Sequence, residues 1–140
     1  MNTVRTPLIT DSELIAQFEN AAIPADSFHH ADHVRLAFAY LHQYTVLEAL
    51  EKFPAALQRF ARLHGKPNLY HQTITWAYIF LIHERMLRAG RPQSWEEFAN
   101  TNPDLLTWKN GILKSYYAPE TLQLDLARKS FIFPDKLPGR

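Results

Sequence analysis

Helix-start signals divide this sequence, and they constrain its fold more than any other feature. Three capping boxes occur, at Thr10–Glu13, Thr45–Glu48 and Ser94–Glu97. In each box a hydroxyl and a glutamate can satisfy free backbone amides in the first turn of a helix. Gly65 and Gly90 each follow a predicted helix, at the position that favours glycine. Because no stretch alternates apolar and polar residues as a strand does, we expect an all-α protein.

The signals predict a compact bundle of about six or seven helices that forms one domain over residues 1–140. Residues 1–10 and 131–140 are expected to be irregular tails. The expected boundaries are, in order, Thr10 to Pro24, Asp26 or Ser27 to about Leu41, Thr45 to His64, about 71–89, a short helix after Ser94, Asn102 to about Tyr117, and Pro119 to about Ser130. Pro54, inside the third helix, predicts a kink or a short break there.

The fourth predicted helix is the candidate centre of the bundle. Segment Ile74–Ile82 is apolar at every position except Thr75. A helix that is apolar all round is typically buried all round. The longest strictly apolar run, Trp76–Ile82, is far shorter than the ~20 residues that a membrane span requires. No secretory signal is visible near the N-terminus, so the sequence predicts a cytoplasmic protein with no membrane partner.

Composition excludes several classes of chemistry. The chain has no cysteine, which excludes disulfides, thiolate metal sites and a cysteine nucleophile. Its four glycines are too far apart for a phosphate-binding loop or a dinucleotide-binding turn. A formal net charge of +1 indicates no nucleic-acid partner.

Seven histidines remain, and three of them form the candidate site. His30 and His33 are three residues apart, so they share a face of the second helix. Successive helices joined by short connections tend to run antiparallel, which places the starts of the second and fourth helices at the same end of the bundle. His71 begins the fourth helix, so we expect His30, His33 and His71 to converge.

These residues suit two kinds of histidine chemistry. The partial positive charge of a helix N-terminus keeps imidazole neutral, which is the form that binds metal or accepts a proton. The three histidines could hold a divalent transition metal, zinc or iron, with an open position for water. The alternative is that a histidine acts without metal as a general base beside Asp32. Asp32 is expected to face away from the histidines and to orient them.

Three further residues complete the predicted site. Tyr70 and Trp76 are expected to border the substrate, and Asp104 is within reach if the sixth helix begins at the same end. The sequence thus predicts an enzyme of hydrolase or lyase type that acts on a small organic molecule through catalytic His30, His33 and His71 with Asp32. The alternative is a non-catalytic module that binds a small molecule in a pocket lined by aromatic residues.

Two segments resemble segments of small bacterial all-helical proteins. They are Phe28–Arg35, with the pattern F-x-H-x-D-H, and Tyr70–Trp76, with the pattern Y-H-x-T. The motif Tyr116-Tyr117-Ala118-Pro119 extends the resemblance over most of the chain. The resemblance implies no activity and assigns no functional residue.

Overall fold

The structure is a computed structural model that describes residues 9–24, 26 and 28–136. Over these residues it is all-α, with no strand. The α-helices are α1 (Asp11–Glu19), α2 (His30–Gln43), α3 (Val46–Leu63), α4 (Gln72–Arg88), α5 (Trp95–Thr101), α6 (Pro103–Leu106), α7 (Pro119–Gln123) and α8 (Asp125–Lys129). Short 3-10 helices lie at Pro67–Leu69 and Ile112–Ser115.

The three predicted capping boxes and the two predicted helix-ending glycines are confirmed. The side chains of Thr10, Thr45 and Ser94 accept hydrogen bonds from the third backbone amide of α1, α3 and α5. The glutamate at that third position accepts a hydrogen bond from the backbone amide of the capping residue. Gly65 and Gly90 have φ values of 71° and 74°. This left-handed conformation ends α3 and closes the turn after α4, and glycine adopts it without a steric cost.

Packed aromatic rings form the centre of the bundle. Phe18 of α1 is 1% exposed. Its ring lies 5.3 Å from that of Phe28, 6.1 Å from that of Phe53 and 5.1 Å from that of Phe60. Close packing of this kind fixes α1 against α3 and against the segment that leads into α2.

The predicted central helix is only partly surrounded. α4 packs against α2, α3 and α8, and Ile79 and Ile82 are fully buried. Phe80, however, is 41% exposed. Its ring packs edge-on against Trp76 and Phe131, which cover part of that face. The expectation of burial on all sides was therefore wrong for this face.

Several predicted boundaries differ from the structure. α1 ends at Glu19, before Pro24. α2 begins at His30 rather than after Asp26 or Ser27, because the carboxylate of Asp32 caps the amide of His29 at 2.8 Å. α3 continues through Pro54 without a break.

The predicted sixth and seventh helices are both interrupted. Thr107 is extended, with φ −98° and ψ 119°, and ends α6 at Leu106. The chain then turns so closely that a Cβ at Gly111 would lie 2.5 Å from the carbonyl oxygen of Thr107. Leu124 is extended, with φ −64° and ψ 139°, and separates α7 from α8.

The C-terminal segment is irregular as far as it is described, and α4 anchors it. The buried hydroxyl of Thr73 donates to the carbonyl of Ser130 at 2.7 Å and accepts from the amide of Ile132 at 3.1 Å. Phe131 stacks on Trp76 with ring centroids 5.7 Å apart. Most of the predicted N-terminal tail lies outside the described residues. Within the described part of the chain, no helix combines the length and apolar character needed to cross a membrane.

Candidate functional site

A cavity of about 470 Å³ lies among α2, α3 and α4, at the end of the bundle where α2 and α4 begin. This volume is within the range of sites that hold small organic molecules. The wall is largely apolar, and its aliphatic and phenylalanine members are Phe28, Val34, Ala37, Phe53, Leu57, Phe60, Ala61, Leu69 and Ile74. Four histidines, His30, His33, His64 and His71, line the same space.

His30 is held in one tautomer by the backbone of α6. Its Nε2–H donates to the carbonyl of Leu105 at 2.9 Å, which leaves the lone pair on Nδ1. The ring lies 4.8 Å from the ring of Tyr78 and 5.2 Å from that of Trp108. Burial lowers the pKa of His30, although the bond to Leu105 acts in the opposite direction. His30 is therefore neutral at pH 7.

His33 lies one turn further along α2, with its ring 4.2 Å from the ring of Phe28. Burial, followed by the proximity of His30, lowers the pKa of His33 to about 4. None of the described residues is hydrogen-bonded to its imidazole. His33 therefore presents a neutral ring that can both donate and accept a hydrogen bond.

His71 performs a structural task at the start of α4. Its Nδ1 accepts the amide of Ile74 at 3.2 Å, and its Nε2–H donates to the carbonyl of Leu122 at 2.7 Å. Both ring nitrogens are thus occupied by backbone groups. Burial lowers the pKa of His71, and the charge of Arg128 lowers it further, against the effect of the Leu122 bond.

Two residues of the cavity wall each have a buried polar atom without a partner among the described residues. These atoms are the Nε2 of His64 and the hydroxyl of Tyr78. Burial raises the pKa of Tyr78 to about 12, so the hydroxyl keeps its proton. An unsatisfied buried polar group typically costs about 1–3 kcal/mol.

The exposed part of the cavity wall marks its opening. Four of the lining residues are exposed, Lys66, Leu69, Trp108 and Arg128, and all of them belong to loops or short helices. Trp108, for example, is 55% exposed. The long helices α2, α3 and α4 supply the inner wall.

The structure brings four of the predicted site residues to this cavity: His30, His33, His71 and Tyr70. The hydroxyl of Tyr70 donates to the side chain of Gln72. Burial raises the pKa of Tyr70 to about 12.

Three predicted site residues do not line the cavity. Asp32 caps the start of α2, as described above. Asp104 forms a two-bond ion pair with Arg85, at 3.0 and 2.7 Å. Trp76 stacks on Phe131 on another face of α4.

The predicted metal on His30, His33 and His71 stays a prediction. No group of three or more metal-ligating side chains is found among the residues that the structure describes. His71 could become a ligand only by giving up a bond to Ile74 or Leu122.

Sequence reasoning missed two polar residues of the site, although signals for both exist. His64 directly precedes Gly65, the residue that ends α3. Because α3 runs antiparallel to α4, the end of α3 must lie near the start of α4. Tyr78 is seven residues after His71, or about two helical turns, and therefore shares its face.

Comparisons with protein-family models, with curated proteins and with solved structures find no match to this chain.

Proposed function

We propose that the protein binds a small organic molecule in the cavity at the start of α2 and α4. The observation that carries the proposal is a largely apolar space of about 470 Å³ whose lining residues include a few polar ones, four histidines and Tyr78 among them. Ligand sites in proteins have this character, with a mostly apolar lining and a few polar groups that orient the ligand.

The protonation state of His33 favours binding over acid–base work at this residue. A general base is most effective when its pKa is near the working pH. The pKa of His33, about 4, is far below that. A neutral imidazole in an apolar wall is instead a good hydrogen-bond partner for a ligand.

The first test is binding of N-phenyl-1-naphthylamine, an uncharged dye whose fluorescence rises in apolar surroundings. We expect saturable binding by the wild-type protein. Ala61→Phe should weaken it about tenfold or more, because the ring fills the cavity and overpacking typically costs about 1–3 kcal/mol. Ala55→Phe, the same change at an exposed position of α3, should bind like the wild type.

Circular dichroism and urea unfolding would show that both variants fold, and Ala61→Leu is the milder replacement if Ala61→Phe does not. Absence of dye binding by the wild-type protein, or equal binding by Ala61→Phe and Ala55→Phe, would contradict the proposal.

A second candidate function, an enzyme of hydrolase or lyase type, is favoured by one observation. The Leu105 carbonyl fixes the His30 tautomer, so that Nδ1 carries the lone pair of a potential base. A base oriented by a third group is a common catalytic arrangement. Elemental analysis of protein purified without a histidine tag is the measurement that decides whether zinc or iron takes part.

Under this second candidate, the protein should hydrolyse a small apolar ester such as 4-nitrophenyl butyrate above the buffer rate. His30→Gln should lower that rate about a hundredfold, the usual scale for loss of a general base. The matched control is His42→Gln on the same helix, where the histidine contacts Asp11 at 2.9 Å and does not line the cavity. A rate that is unchanged in His30→Gln would exclude a basic role for His30.

A further inference from the structure

Among the residues that the structure describes, the cavity opening carries two cationic side chains and no acidic one. Lys66, just before the 3-10 helix Pro67–Leu69, and Arg128, on α8, both line the cavity and are both exposed. No aspartate or glutamate contributes to the wall over the described part of the chain. The opening is therefore positively charged, whereas the interior is apolar and neutral.

Neither cation is neutralised by a carboxylate of the described residues. The Arg128 guanidinium donates to the carbonyl of Asn68 at 2.8 Å, a bond that fixes its position without cancelling its charge. Asp125, one turn before Arg128 on α8, pairs with Lys129 at 3.1 Å instead. Lys66 has no ion-pair partner in the described ranges. Both charges are thus available to a ligand.

The Arg128 charge also acts on the cavity itself. Besides burial, the positive charge of Arg128 contributes to the lowered pKa of His71, whose ring lies on the cavity wall. A guanidinium whose field reaches that wall would also act on a ligand held there.

From this arrangement we infer that the ligand is an amphipathic organic anion, with an apolar body inside the cavity and an anionic group such as a carboxylate or sulfonate between Lys66 and Arg128. The inference rests on the proposed function, because it specifies the chemical class of the ligand for the same cavity. An anion here gains from both cations, while the apolar wall excludes water from the rest of the molecule.

Two dyes with the same aromatic body test the inference. 8-Anilinonaphthalene-1-sulfonate carries a sulfonate, and N-phenyl-1-naphthylamine lacks it. We expect the wild-type protein to bind the sulfonate dye more tightly. Lys66→Gln and Arg128→Gln should each weaken its binding roughly threefold to fivefold, the scale for partly exposed ion pairs, and should weaken binding of the neutral dye by a smaller factor.

Arg88→Gln is the matched control, because it removes the same charge at the opposite end of α4. It should leave the binding of both dyes unchanged. Raising the NaCl concentration to about 0.3 M should weaken binding of the sulfonate dye alone, since exposed charges are screened at that ionic strength. The measurement at high salt uses only the wild-type protein, so it tests the inference even if Arg128→Gln does not fold.

The outcomes separate the two proposals. If the neutral dye binds, but the sulfonate dye binds no more tightly and Lys66→Gln behaves like Arg88→Gln, the anionic ligand class is overturned and the binding cavity stands. If neither dye binds, the proposed function fails and the ligand class fails with it.

Discussion

Phe18→Ala should lower the free energy of unfolding by about 3–5 kcal/mol, the usual cost of truncating a buried phenylalanine. Phe18 is 1% exposed and its ring contacts the rings of Phe28, Phe53 and Phe60. Those three rings line the cavity, although Phe18 itself does not. The variant should therefore lose dye binding as well as stability, because the wall loses the ring that holds it in place.

Phe133→Ala makes the same chemical change at a position that is 81% exposed. Surface substitutions usually alter stability by less than about 0.5 kcal/mol, so this variant should unfold like the wild type. Urea unfolding at pH 7 measures both variants. Equal midpoints for the two would show that Phe18 does not support the core in this way.

Stability should fall between pH 6.5 and pH 4, and His33 should account for a large share of the fall. Burial lowers the pKa of His33 from 6.5 to about 4 in the folded protein. In that interval the unfolded chain binds a proton that the folded chain does not, so acidification favours unfolding. The contribution levels off below about pH 4, where the folded protein is protonated too. It amounts to about 2–3 kcal/mol between pH 7.5 and pH 4.5.

The comparison that isolates His33 is the wild type against His33→Leu. The buried histidines His30 and His71, whose pKa values are also lowered by burial, stay in both proteins. So do the carboxyl groups whose pKa is lowered by hydrogen bonds, such as Asp104 beside Arg85. We expect the urea midpoint of His33→Leu to fall less steeply with decreasing pH. Parallel curves would contradict the assignment.

The fold class was predictable because its signals are local. Each capping box spans four residues, and the structure keeps all three. The same local signals imply the antiparallel order of α2, α3 and α4, which is why His30 and His71 could be expected at one end. The boundaries that failed lie where none of these three capping boxes marks the end of a helix. α6 ends at Leu106 because Thr107 is extended, and the chain then turns so closely that a Cβ at Gly111 would lie 2.5 Å from the Thr107 carbonyl oxygen. No spacing in the sequence reveals that turn.

The roles of several candidate-site residues could not be predicted, because their partners are distant in the sequence. Asp104 has suitable chemistry for a site, but Arg85, nineteen residues earlier, binds it. His71 has the chemistry of a metal ligand, but the carbonyl of Leu122 lies on its Nε2, and that partner is distant in sequence. Nothing in the local sequence marks Arg128 as a site residue, and the placement of α8 against α4 brings it to the cavity opening.

The unequal helix lengths around the cavity have a consequence for the time a ligand stays bound. The inner wall comes from helices of 14, 18 and 17 residues, whereas Arg128 at the opening lies on a helix of five residues. A helix of that length has almost no stability of its own and depends on its neighbours. It can detach in a local fluctuation while the long helices stay folded. The rate of ligand release would then be set by how often α8 detaches from the cavity opening. This rate is independent of the affinity of the inner wall for the ligand.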